Sequence, residues 1–161
     1  MKSLLRGATA GTVATALMSA LMVAARRLGI TGQLPPEKIT SKMLRRHGIR
    51  PDAGQQDALA TGLHFAFGAA AGAAFGVIAR RVPVPSVPLG VAYGTAIWGV
   101  SYMGWVPSIG LMQRADRDQR GRQAVMLAGH LVFGATLGVL AGRKARRPDP
   151  FESEEGADKE S

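Results

Sequence analysis

Uncharged and basic segments alternate along this chain. Residues 7–25, 58–79 and 124–142 carry no charged side chain, and neither does the long run 82–113. The first of these, 7–25, has 19 residues. At about 1.5 Å per residue it makes roughly 28 Å of helix, close to the thickness of a hydrocarbon core. The pattern predicts an all-α polytopic membrane protein with transmembrane helices over residues 7–25, 58–79, 89–106 and 124–142. Pro83, Pro85 and Pro88 make a rigid extended turn ahead of the third span. Pro107 kinks or ends that span, leaving Ser108 to Met112 as a re-entrant or interfacial cap. A cleaved signal peptide is the competing reading of the first stretch, from Lys2 and Arg6 before it and Ala24-Ala25 at its end. The spans that follow, and Arg26-Arg27 as an ordinary terminus, argue for a retained helix.

Between the first two spans a short amphipathic helix is predicted over residues 37–47. Pro35-Pro36 stand ahead of it, where prolines are tolerated, and Gly48 stops it. Ile39, Met43 and His47 share one face, while Lys38, Lys42, Arg45 and Arg46 spread over the rest. Such a helix lies in the headgroup region or serves as a solvated loop helix. Residues 148–161 turn acidic and lack hydrophobic content, which predicts a disordered tail.

A repeat is superposed on the spans. His64 is followed by Gly68, Gly72 and Gly76, and His130 by Gly134, Gly138 and Gly142, an offset of 66 residues throughout. Both copies read H-x-x-F-G-A-x-x-G-x-x-x-G. A spacing of four keeps these positions on one helical face. Two crossings separate the second and fourth spans, so they run in the same direction. The four spans therefore form two hairpins in a parallel repeat, with Gly7 and Gly11 of the first span answered by Gly90 and Gly94 of the third. Small faces let backbones approach closely in membranes. The second and fourth spans are accordingly expected to pack through their glycine faces.

Composition supports this placement. Hydrophobic residues make up 47% of the chain but aromatic ones only 6%, with 21 glycines among 161 residues. That apolar content is mostly Ala and Gly, poor material for a water-soluble core and suited to helix packing in lipid. A net charge of +9 would point to nucleic acid were it clustered on one face. Here it sits between the spans, so the expected partner is the lipid bilayer and not nucleic acid. Trp105, Arg80, Arg81 and Arg143 suit the membrane interface. The Lys/Arg split between the two sides, eight against eleven, gives no positive-inside preference. The absence of cysteine removes disulfide and thiolate chemistry.

His64 and His130 are the ionisable side chains placed within spans, each seventh in its own, hence at similar depth. An intramembrane ionisable residue points to a functional site, against the plainer reading of a histidine bonded to a nearby hydroxyl or carbonyl. Thr9, Thr12, Thr15, Thr95 and Ser101 offer such hydroxyls. Three classes of function follow. The leading one is a structural or accessory protein, in a homo-oligomer or a larger membrane complex, with no cofactor. The second is histidine-gated transport; a carboxylate-driven antiporter is disfavoured because no span holds Asp or Glu. The third is a b-type haem protein with His64 and His130 as axial ligands and the glycines making room for the macrocycle. No converging nucleophile, base and oxyanion group is visible, so an enzyme is not expected.

Several short motifs are familiar together. They are Thr15-Ala16-x-Met18 in the first span, P-P-E-K-I at residues 35–39, L-H-x-x-F-G-A from Leu63, W-x-x-S-Y-x-x-W-x-P at 98–107, and a final G-H-L-V-F-G. Over roughly residues 7–142 the chain resembles the small YagU-like bacterial inner-membrane proteins, which are families of unknown function. The resemblance implies a multi-pass protein of the bacterial plasma membrane, and it carries over no catalytic residue.

Overall fold

The computed structural model describes residues 1–31, 35–49, 52–110 and 120–142, and every regular element among them is helical. The predicted tail and Arg143 lie outside the described residues. Helix α1 spans Lys2–Arg27, α2 Pro35–Arg46 and α3 Ala53–Arg81. Helix α4 spans Ser86–Gly99 and runs on through a π-helical stretch, Val100–Trp105, into a short turn, Val106–Ser108. Helix α5 spans Arg120–Ala141. Three of these, α1, α3 and α5, are long and apolar enough to cross a membrane.

The long helices start earlier than the uncharged stretches do. Loss of charge marks where lipid is expected, whereas a cap marks where a helix begins. Helix α3 starts at Ala53 and not Ala58, because the Asp52 side chain accepts a hydrogen bond from the Gln55 N–H at 2.8 Å. Helix α1 ends where Gly29 adopts a φ of 72°, and α2 where Gly48 adopts 71°. In both, the next residue donates back five positions, Ile30 to Ala25 and Ile49 to Leu44. This is the left-handed ending that glycine permits.

Helix α1 lies against α3, and α4 against α5, in antiparallel pairs. Gly7 faces Gly72 and Gly11 faces Gly68; in the other pair Gly90 faces Gly134, and Gly94 faces the carbonyl of His130. A methyl group on any of these glycines would overlap the facing backbone or, at Gly68, the Thr15 hydroxyl. The glycine stripes of α3 and α5 therefore do not meet each other, contrary to the sequence expectation. Each is filled by the helix paired with it. The internal correspondence shifts too: Gly11 is matched by Gly90 and Gly7 by Ser86, because Gly72 contacts Gly7 while its counterpart Gly138 contacts Ser86.

Helices α1 and α5 also pack together, with the side chains of Met18 and Met22 against Gly129. The Arg6 guanidinium donates to the Leu140 carbonyl at 2.9 Å, satisfying an acceptor at the end of α5. On the opposite side the Tyr93 hydroxyl donates to the Ala71 carbonyl at 2.9 Å, and its ring lies 5.4 Å from that of Phe75. The resulting interior is built of small residues and a few large ones, Phe75 and Leu137 being wholly buried. Leu5, Val13, Leu17, Phe67, Val100, Leu131 and Val139 are exposed instead.

The predicted third span, 89–106, is the one that departs most from a straight helix. Pro107 has no N–H and its ring crowds the turn before it. The preceding turn loosens: Val106 donates to the Ser101 carbonyl, and Gly104 leaves the helical region at φ −106°, ψ −108°. The Ser108 hydroxyl donates to the Gly104 carbonyl, four residues back, at 2.8 Å.

These contacts separate glycines that are needed from those that are not. Gly72→Leu and Gly134→Leu should each lower the melting temperature or abolish the fold, overpacking of this kind costing at least about 1–3 kcal/mol. Gly62, with open space around its Cβ position, should tolerate alanine and gain up to roughly 1 kcal/mol of helix propensity. Thermal unfolding followed by circular dichroism in detergent compares the three directly.

Candidate functional site

The close-packed faces end one turn before Gly68 and Gly134, at His64 and His130. Beyond them, toward the end of the bundle that holds α2, the helices line a half-open chamber of about 430 Å³. Its wall includes Met18, Met22, Trp98, Met126 and both histidines. Tyr102 and Trp105 of the π-helical stretch and Val106 just after it complete the α4 side. A π turn changes which way successive side chains point, and such turns recur at functional sites.

Helix α2 covers this end. Ile39, Thr40 and Met43 line the chamber, so the apolar face predicted for a bilayer surface is turned onto the bundle. Glu37 holds α2 to α1 through Arg26 at 2.7 Å. At its other end the Lys42 ammonium reaches the Gly110 carbonyl at 3.5 Å. A second cavity of about 610 Å³ lies beside the chamber, with Arg26, Arg27 and Glu37 in its wall. Met22, Pro36 and His64 belong to both cavities.

The two histidines are thus brought to one chamber, but their surroundings differ. His130 Nδ1 lies 2.8 Å from the Met126 carbonyl. A carbonyl only accepts, so Nδ1 carries the hydrogen, and Nε2 of the neutral ring is left as an acceptor. His64 Nε2 is buried without a hydrogen-bond partner among the described residues, as is Trp98 Nε1. The threonines expected near them serve their own helices: Thr9, Thr12, Thr15 and Thr95 donate to carbonyls three or four residues back. The glycines leave no slot for a macrocycle between α3 and α5, since the backbones of α1 and α4 occupy both grooves. No cluster of three metal-binding side chains occurs among the described residues.

Of the remaining sequence-predicted positions, Gly76 faces Ser3 and Gly7, while Gly138 and Gly142 face Ser86. Arg80 and Arg81 close α3 and are exposed, and Trp105 is half-exposed at the chamber wall. Sequence reasoning passed over Trp98, the methionines and α2 as site elements. The signal was present only in part: Trp98 and Tyr102 share a helix face, and Gly104 with Pro107 marks a break near them.

The family of unknown function DUF6789 matches residues 1–151. No curated protein and no solved structure matches the chain.

The asymmetry of the histidines has a measurable consequence. His64→Leu removes a buried polar atom that lacks a partner, so thermal stability should hold or rise. His130→Leu removes the bond to Met126 and should cost about 1 kcal/mol. Melting curves of the two variants, run side by side, check the order.

Proposed function

The chain belongs to the family of unknown function DUF6789, and from that premise we propose that it is a small integral membrane protein that crosses the bilayer four times. Its role is structural or accessory, within a homo-oligomer or a larger membrane assembly. The observation that carries this reading is the inverted distribution of side chains. Small residues line the helix contacts, while Leu, Val and Phe side chains face outward along α1, α3, α4 and α5. Lipid is the solvent such a surface suits. No residue between positions 82 and 113 is charged, so α4 with its π-helical continuation is read as the fourth crossing despite the break. The motifs that resemble those of the YagU-like proteins favour the bacterial inner membrane.

A second reading, histidine-gated transport, draws on the junction of the two cavities at His64. A path from the second cavity, a vestibule with Arg26, Arg27 and Glu37 in its wall, past an imidazole into the bundle is the arrangement such transport requires.

The absence of native cysteine makes the crossings easy to count. Single cysteines at Val84 and Ser153 should react with an impermeant maleimide from one side of the membrane, and those at Ile49 and Gln119 from the other. Equal labelling of the Val84 and Gln119 positions from one side would mean that α4 does not cross. For the transport reading, proteoliposomes loaded with a pH-sensitive dye should show a proton leak that His64→Ala abolishes. A leak no greater than that of protein-free liposomes removes it.

A further inference from the structure

The vestibule and the chamber differ in chemistry, yet they share a wall at Met22, Pro36 and His64. We infer that together they bind a single-chain anionic amphiphile, a long-chain fatty carboxylate, with its head in the vestibule and its chain in the chamber.

The head site is cationic by one charge, from Arg26 and Arg27 against Glu37. Arg26 is engaged with Glu37, while Arg27 stands exposed on the vestibule wall. A guanidinium holds a carboxylate through two parallel hydrogen bonds, a geometry a neutral ester or alcohol does not match. His64 supplies the second head contact. The residue lies on the wall common to both cavities and its Nε2 has no partner among the described residues, so an N–H of the neutral ring is available to donate to a carboxylate oxygen.

The tail site is apolar and adaptable. Met18, Met22, Met43 and Met126 contribute to it, and unbranched thioether side chains adjust to a bent alkyl chain better than branched ones do. At about 430 Å³ the chamber falls at the small end of ligand cavities, a size for one chain. Phe67 and Trp105, both half-exposed on the outer surface and both part of the chamber wall, give a chain access from the side. An incoming carboxylate also competes with Glu37 for Arg26. Binding is thereby coupled to the ion pair that ties α2 to α1.

The chain carries its own reporter. It has two tryptophans, Trp98 and Trp105, and both line the chamber. The full chain is placed in nanodiscs of neutral two-chain phospholipid and titrated with dibrominated stearic acid, whose bromines quench tryptophan on contact. Quenching should saturate near one acid per chain, and it should persist in Trp105→Phe, where Trp98 alone reports. The brominated methyl ester should bind at least about tenfold more weakly. Arg27→Gln should raise the half-saturation point by a similar factor, since the lost contact is a charge-assisted one. Quenching that never saturates and is equal for acid and ester is that of the surrounding bilayer, and it overturns the proposal. Saturable binding of the ester as tight as that of the acid, unchanged in Arg27→Gln, also overturns it by showing an apolar cavity without an anionic head site. Neither outcome depends on how many times the chain crosses the membrane.

Discussion

Direct contact between helix backbones is the interaction on which the rest of this structure depends. Gly7 against Gly72, Gly11 against Gly68 and Gly90 against Gly134 bring main chains together with no side chain between them. Such contacts gain little from water release, since little apolar side chain is buried. They rely on dispersion between many close atoms, which lipid chains cannot match at the same points. A single methyl group in the seam separates the helices over several residues, and the neighbouring contacts are lost with it.

The same seam explains where the cavity lies. Glycine spacing stops at Gly68 and Gly134, and one turn earlier each helix carries a histidine. From there on the facing positions are Met18, Met22, Trp98, Tyr102 and Met126, which are too large to let the backbones meet. Two pairs closed at one end and propped open at the other must enclose space, and α2 sits over that space. The break before Pro107 belongs to this end as well. Tyr102, Trp105 and Val106, spaced so as to share one helical face, line the chamber beside it.

Buried polar groups are arranged to different effect in the two halves. In the packed half the hydroxyls of Thr9, Thr12, Thr15 and Thr95 each return to a carbonyl of their own helix, and Arg6 and Tyr93 bond carbonyls of neighbouring helices. At the open end His64 Nε2 and Trp98 Nε1 are left without partners, and a buried unpaired group costs free energy comparable to a lost hydrogen bond. A protein retains such groups at a place where something else satisfies them.

Much of this was legible in the chain. Period-four glycines, uncharged runs and the copy at an offset of 66 residues determine the helices, their small faces and the parallel relation of α3 and α5. Those features are local, because helix periodicity and charge act within a few turns. Which face meets which helix is not local. The glycine stripes of α3 and α5 matched each other in sequence, yet each is filled by the helix antiparallel to it. The antiparallel partner presents small residues of its own, Gly11 or Gly90, which leave room for the approach. Tertiary structure also turned α2 from a bilayer-surface helix into a cover, since Ile39 and Met43 found apolar surface on the bundle itself. It set His64 and His130 in one chamber by ending the glycine contact beside both of them. Sequence determined that two histidines lie at matching depth; only the packing decided that the space between the helices begins there, because backbones meet at glycine and part where side chains return.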